Sequence, residues 1–389
     1  MHVPGWHEAT REWQRGGELQ QVGIIQEQHP DRARLFMQWK DMGWPILIDS
    51  LDLLETTVVP MTLLIDEYGV IRQIQPPRDD LQGLREDFID AGFEPADATP
   101  AMNEGSLPEM TSEAAAAVEA YLWSASDDPD AVIAAFEGAV AADPDHGYTL
   151  FRTGVAYRWR YDSPAARPGD FQRAVQYWER ALDVDPNNYI WRRRIQQYGP
   201  RLTKPYPFYD WVTTARDEIR ERGEEPAPLI VEPGGAEFAR PEESFTVEDV
   251  AIEPPELDDR IYRDNGEYVA VEATVVPGTI GPGASARAHV SFVPNEDIQA
   301  HWNNEVDDLI FWVEAPEGWQ LDRRAVTVPN PPETVSSEPR RIELEIKAPD
   351  AASGRYQLPG YALYYVCEDV NGICLYRRQD VSLAVTVAR

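Results

Sequence analysis

The chain is short of lysine, of cysteine and of long apolar runs, and each shortage excludes something. Lysine occurs only at Lys40, Lys204 and Lys347, so arginine carries nearly all the positive charge. Acidic residues outnumber basic ones 68 to 35, a net charge of −33 over 389 residues. Such a surface repels phosphate backbones and anionic headgroups, which argues against a nucleic-acid partner. No run approaches the roughly 20 apolar residues that a spanning helix needs, so no membrane span is expected. The opening "MHVPGWHEATREW" has neither an apolar core nor a small-residue cleavage site and is not expected to act as a signal peptide. The only cysteines are Cys367 and Cys374, and the six histidines are scattered singly. Zinc-ligand spacing, a phosphate-binding loop, GxSxG and GxGxxG are all missing, so neither a metal nor a cofactor is expected. What remains is 43% hydrophobic and 10% aromatic residues, enough for real cores in two or three domains.

Residues 1–98 alternate helix-like and strand-like stretches. "LQQVGIIQEQ" carries a strand core at Val22–Ile25. In "DRARLFMQWKDMGW" the apolar residues Leu35, Phe36, Trp39 and Met42 recur at helical spacing, after Pro30 and before Gly43. "PILIDS" is a second strand. "MTLLID" and "VIRQIQ" form a hairpin whose turn, Glu67-Tyr68-Gly69, needs a glycine for positive φ. "DDLQGLREDFIDAGF" closes as a helix. Val59-Pro60 stands directly before the hairpin's first strand.

That order, with Val59-Pro60 ahead of the hairpin, resembles the thioredoxin-like fold of TlpA/ResA-type thiol-disulfide oxidoreductases and the related peroxiredoxin-type antioxidant proteins. The resemblance implies a cis Val59–Pro60 bond, where an ordinary trans proline at a strand start is the plainer reading. It also implies that Val59 offers its backbone to a substrate strand, so Val59 and Pro60 are candidate substrate-binding residues. The family carries Cys-x-x-Cys at the N-terminus of its first helix, where the helix dipole favours the thiolate. With Pro4 matched to the proline that follows this motif, the pair falls upstream of Met1. The first domain is then expected to be N-terminally incomplete; a redox-dead relative that keeps only the scaffold is the other reading. His2 and His7 fall near that position, but a lone histidine on an exposed helix is usually just solvated.

Residues 111–222 read as helical and carry an internal repeat. "AVIAAFEGAVAADPDH" (131–146) and "FQRAVQYWERALDVDPNN" (171–188) superimpose, with Phe136 on Trp178, Ala139 on Ala181 and Pro144 on Pro186. Between them "FRTGVAYRW" offers Gly154 and Tyr157. The pattern resembles the tetratricopeptide repeat, although its prolines stand further apart than in that family. The resemblance implies a concave face for a protein partner; a spacer between domains is an equal reading. Trp159, Trp178 and Trp191 are expected in helix packing.

A proline-rich linker at 223–235 precedes a third composition, 236–389. Short alternating runs such as "YVAVEATVVP", "ARAHVSFVP" and "RIELEIKAP" are punctuated by proline and glycine. They predict an all-β sandwich, immunoglobulin-like in class. The fold class expected is thus multi-domain: α/β, then α, then β. "YALYYVCEDVNGICLYRRQDVSLAVTV" places the two cysteines on a hairpin around Asn371-Gly372. It resembles the N-terminal domain of DsbD-type thiol:disulfide interchange proteins, which makes Cys367 and Cys374 a candidate redox pair. Two registers are open. A tight turn at Asn371-Gly372 sets Asp369 against Cys374 and Cys367 against Tyr376, whereas a six-residue loop sets Cys367 against Cys374. A redox-active disulfide, a structural disulfide and an inert thiol pair all fit. Tyr364, Tyr365 and Tyr376 are candidates to shield the sulfurs. "AHWNNEVDDLIFWV" groups His301, Asn303, Asn304 and Glu305, either as a polar site or as a capped turn.

The leading expectation is a thiol-disulfide or antioxidant oxidoreductase-family protein with a thiol or disulfide protein partner, its thioredoxin-site cysteines absent from this chain. The alternative is a non-catalytic interaction protein that binds partners through its repeats and sandwich. Localisation stays open between cytoplasmic and extracytoplasmic.

Overall fold

Helices fill the stretches with three-to-four-residue apolar spacing, and strands fill the alternating ones. The structure is a computed structural model. It describes residues 2–55, 59–77, 79–94, 110–124, 127–203, 210–232, 242–247, 253–256, 260–369 and 372–388. The helices are α1 (His2–Gly16), α2 (Asp31–Lys40), α3 (Leu81–Leu84), α4 (Ser112–Ser124), α5 (Pro129–Ala142), α6 (Gly147–Tyr161), α7 (Asp170–Val184), α8 (Tyr189–Gln196) and α9 (Trp211–Glu221). A π-helical turn, Arg85–Ile89, continues α3, so the closing helix expected over 79–93 is shorter and locally wider than a regular one. The early strands are β1 (Gly23–Ile25), β2 (Ile46–Ile48), β3 (Leu63–Ile65) and β4 (Ile71–Ile74). The later ones are β5 (Val269–Val276), β6 (Thr279–Ile280), β7 (Ser285–Pro294), β8 (Ala300–Asn303), β9 (Leu309–Val313), β10 (Gln320–Leu321), β11 (Ala325–Val328), β12 (Val335–Ser336), β13 (Arg340–Lys347), β14 (Gly354–Glu368) and β15 (Ile373–Val387). The chain is therefore a mixed α and β protein. It divides into two units, Met1–Trp159 with Arg180–Arg194 and Tyr206–Ile230, and Arg160–Glu179 with Ile195–Pro205 and Val231–Arg389.

In the first unit β1 and β2 pair in parallel, and β3 and β4 pair antiparallel as a separate ladder. The hairpin turn follows from Asp66, whose carboxylate accepts the backbone N–H of Tyr68 at 2.9 Å and of Val70 at 2.8 Å, while Gly69 takes a φ of 81°. Trp6 of α1 packs with Leu64 of β3 and Leu84 of α3. A second cluster joins Leu35 and Trp39 of α2 to Val212, Ala215 and Ile219 of α9. Arg222 donates to the carbonyls of Gln38 (2.9 Å) and Trp39 (3.1 Å), groups that the end of α2 leaves without a helical partner.

Buried arginines fasten the loops after β1 and β2. Arg152 of α6 donates to the Leu51 carbonyl at 3.0 Å and pairs with Glu55 at 3.0 Å. Arg194 of α8 reaches the side chain of Gln28 at 2.6 Å and the carbonyl of Ser50 at 3.1 Å. Irregular backbone near a core needs such partners, because an unmade buried hydrogen bond costs more than a made one gains.

The repeated segments are α5 and α7, each with the turn that follows it. Phe136, Ala139, Trp178 and Ala181, the superimposed positions, are all fully buried. Trp191 is buried and stacks on Phe151 with ring centroids 5.8 Å apart, and Trp159 lies edge-on to Tyr121. The expectation of packing roles for these tryptophans agrees with that burial.

In the second unit two sheets share one core. A four-stranded sheet runs β10-β13-β7-β5, and a larger one runs β11-β9-β14-β15-β6 with β8 and β12 attached. Ala288, Val290 and Phe292 from the first meet Phe311, Ala362, Tyr364 and Leu383 from the second. Their alternation along each strand is what a half-buried sheet requires. The outer face of β7 carries Arg287 and His289, also buried, and the His289 ring packs edge-on against Tyr198 and Phe171.

Candidate functional site

β14 and β15 are each 15 residues long and pair over their whole length. Even-numbered residues of β14, such as Tyr364 and Val366, face the core. The odd-numbered residues Tyr365 and Cys367 therefore face outward, as do Cys374 and Tyr376 opposite them. Cys367 stands directly across from Cys374, with Cα atoms 4.0 Å apart, and the two are joined as a disulfide. The tight-turn register, with Asp369 against Cys374 and Cys367 against Tyr376, is not the one adopted. Tyr376 instead faces Tyr365, and the strands separate after Glu368 and rejoin at Ile373. Gly372, at a φ of 66°, supplies the left-handed residue that this turn needs; Asn371 lies outside the described residues.

The two sulfur-bearing residues differ in access. Cys367 keeps only 6% of its surface exposed, while Cys374 is exposed. The reason is position. Cys367 lies on a strand flanked by β15 on one side and β8 on the other, whereas Cys374, level with it, lies on β15, which among the described strands has only β14 beside it at this end. On the β8 side the residue opposite Cys367 is His301. Directly opposed residues of an antiparallel pair share a face with Cβ atoms about 5 Å apart, so His301, Cys367 and Cys374 form one row across three strands. The His301 Nδ1 lies 3.2 Å from the Gln299 carbonyl and 4.0 Å from the Asp369 carboxylate.

The next row along the same face is the Tyr365–Tyr376 pair, with ring centroids 4.4 Å apart. Desolvation raises the pKa of the Tyr376 hydroxyl, and the neighbouring Tyr365, Asp307 and Glu256 add to that. Tyr364 faces inward and does not shield the sulfurs; its hydroxyl donates to Asp264. Further along, about 20 Å from the cysteine row by strand rise, a groove of about 480 Å³ is lined by Trp312, Tyr361, Arg378 and Asp380. Arg378 lies 4.0 Å over the Tyr361 ring and pairs with Glu256 at 2.7 Å.

Val59 and Pro60 belong to the first unit. Their peptide bond is cis, and both residues are exposed. Gln75 holds the stretch in place: its side-chain amide donates to the Pro60 carbonyl at 2.9 Å, and its backbone N–H donates to the Thr62 carbonyl at 2.8 Å. Residues 56–58 lie outside the described residues. His7 is not simply solvated, since its ring packs edge-on against Trp44 with centroids 5.0 Å apart. Among the described residues no cluster of histidine, cysteine and acidic side chains could hold a metal ion. No helix among them is long and apolar enough to cross a membrane.

The placement of His301 is what the sequence reading missed. "AHWN" falls in the stretch expected as a polar site or a capped turn, yet Ala300 and Trp302 are buried and alternate with His301 and Asn303 as a strand does. That four-residue alternation was the available signal.

No family model matches the chain, and no curated protein matches it. Among solved structures it is similar to the sporulation control protein Spo0M of Bacillus subtilis, at 10% identity and a TM-score of 0.17, over 31% of this chain and 50% of that one. The chain thus matches about half the length of Spo0M. A FixG-related protein of Vibrio parahaemolyticus matches at 6% identity and a TM-score of 0.16, over 31% of this chain and 97% of that one. The alkylpurine DNA glycosylase AlkC of Pseudomonas fluorescens matches at 12% identity and a TM-score of 0.16, over 68% and 54% of the two chains. Scores this low assign neither fold nor function.

Proposed function

We propose that the chain takes part in thiol–disulfide exchange through Cys367–Cys374, accepting electrons from a dithiol protein partner. The observation that carries this reading is the asymmetry of the bond, with one exposed and one buried sulfur-bearing residue on an outward sheet face. Exchange requires a thiolate to reach one disulfide sulfur while the other leaves. Cys374 is the sulfur that an incoming thiolate reaches, and Cys367 is the one that leaves.

The architecture proposed with this reading is threefold. Residues 1–98 are thioredoxin-like, with Val59 and Pro60 as the substrate-facing loop. Residues 111–222 are tetratricopeptide-like. Residues 236–389 are an immunoglobulin-like sandwich related in kind to the DsbD N-terminal domain. The exposed Val59–Pro60 segment ahead of the β3–β4 hairpin, the equivalent buried residues of α5 and α7, and the two sheets around one core support these three parts in turn.

A non-catalytic interaction role is the second reading. It is favoured by a groove of about 550 Å³ in the first unit, where Met37, Met42, Ile46 and Ile48 lie beside Arg34 and Glu224.

Thiol counting tests the choice. The oxidised protein is incubated with a reduced thioredoxin-type dithiol protein and free thiols are alkylated. Exchange predicts two new alkylated cysteines in this chain, with the donor oxidised in equal amount. A chain that stays unalkylated when native, and is alkylated only after denaturation, is an interaction protein with a structural disulfide.

A further inference from the structure

We propose that His301 is the proton donor to the Cys367 thiolate released when Cys374 is attacked; the inference rests on the exchange reading above. The geometry that points to it is the row His301, Cys367, Cys374, one residue from each of three neighbouring strands on one face. Cys367 is buried, and a buried thiolate without a proton or a partner is costly. Water reaches Cys374 readily but Cys367 poorly, so the proton has to come from a neighbouring side chain. His301 is the residue that the register sets beside Cys367 on the side away from Cys374. Its ring is held from just before its strand: with Nδ1–H donated to the Gln299 carbonyl, Nε2 is the nitrogen left to pass a proton. The Asp369 carboxylate lies 4.0 Å from Nδ1.

The partner thiolate bonds to the Cys374 Sγ, the Cys367–Cys374 bond breaks, and its electron pair goes to the Cys367 Sγ. Imidazolium Nε2–H of His301 gives its proton to that sulfur, leaving a thiol and a neutral ring. The partner's second thiol, deprotonated to solvent, then attacks the partner sulfur of the mixed disulfide. Cys374 leaves as a thiolate and is protonated from solvent, and His301 recovers its proton. Two electrons and two protons have passed from the partner dithiol to the pair.

The test uses the full chain and dithiothreitol as the dithiol, with the rate followed by rapid alkylation. His301→Gln keeps a hydrogen-bond donor but exchanges no proton, and His301→Ala leaves room for free imidazole. The expected result is a rate at least about a hundredfold below wild type in both variants, the low end for a positioned proton donor. Thermal midpoints should be unchanged, and added imidazole should restore the His301→Ala rate. A His301→Gln variant reacting at the wild-type rate overturns the proposal, and so does a slowed variant that has lost stability and is not rescued. If native wild-type protein does not react at all, the exchange reading itself fails; if wild type reacts and His301 is irrelevant, only this inference fails.

Discussion

Tyr364 donates its hydroxyl to the Asp264 carboxylate at 2.7 Å from within the core of the second unit. The same carboxylate accepts the backbone N–H groups of Gly266, Glu267, Tyr268 and Val269 at 2.8–3.2 Å. Asp264 thus gathers the entry to β5 onto the central strand β14. Burial and the neighbouring Asp264 charge raise the pKa of the Tyr364 hydroxyl far above the usual phenol range, so it stays protonated and can donate. Asp264→Ala is expected to destabilise the protein by about 3 kcal/mol, because several buried donors lose a charged acceptor. Tyr364→Phe should cost about 1 kcal/mol. Urea unfolding followed by tryptophan fluorescence checks both values and their order.

The first unit carries a carboxylate that makes it acid-sensitive. Desolvation pushes the pKa of Glu27 upward, but Arg32 and Arg193, at 3.4 and 2.9 Å, outweigh it, and the net shift is downward from about 4.5. A carboxyl lowered on folding adds stability above its unfolded pKa, and that stability is lost as pH falls through and below about 4.5. Glu27→Gln should cost about 3 kcal/mol at pH 7. It should also flatten the loss of stability as pH falls below about 5, measured by denaturant titration at each pH. An unchanged slope contradicts the assignment.

Gly147, at the start of α6, is a position where a side chain does not fit. A Cβ there would lie 2.5 Å from the Trp191 ring, which is buried and stacked and cannot move aside. Gly147→Ala should therefore destabilise by about 2 kcal/mol, despite alanine's better helix propensity. A stabilised variant would show that α6 and α8 pack more loosely than described.

Much of the fold was legible in the sequence, and the reasons are local. Leu35 and Trp39 mark the buried face of α2 because helical spacing is a short-range signal, and Asp66 with Gly69 marks the hairpin turn. The site was only half legible. Cys-x6-Cys is compatible with two registers, and only the loop between Glu368 and Ile373 decides which residues face each other. The pairing of His301 with Cys367 joins strands distant in sequence, and no spacing rule announces it. Arg152 and Arg194 escaped notice for another reason. Arginine reads as surface in composition, yet here it is the partner that buried loop carbonyls require.

The bond at Cys367 and Cys374 closes a short loop, with a sequence separation of 7. By the loop-entropy relation it contributes only about 2 kcal/mol. Cys367→Ser and Cys374→Ser should both stay folded with modestly lower midpoints. They should differ in reactivity: Cys367→Ser leaves the exposed Cys374 to trap a mixed disulfide with a dithiol partner, whereas Cys374→Ser leaves the buried Cys367, which should trap poorly. Mass spectrometry of the trapped species distinguishes the two, and equal trapping contradicts the assignment of Cys374 as the attacked sulfur.

The account rests on Cys367–Cys374 being an exchanging bond, and its reduction potential tests that most directly. The native protein is equilibrated in dithiothreitol buffers of known ratio, quenched by alkylation, and the fraction reduced is read by mass. Exchange predicts a reversible two-electron titration with a potential above about −300 mV, within reach of thioredoxin-type donors. A potential well below about −300 mV, or a bond reduced only when the protein unfolds, would contradict the account and leave the disulfide as a structural staple.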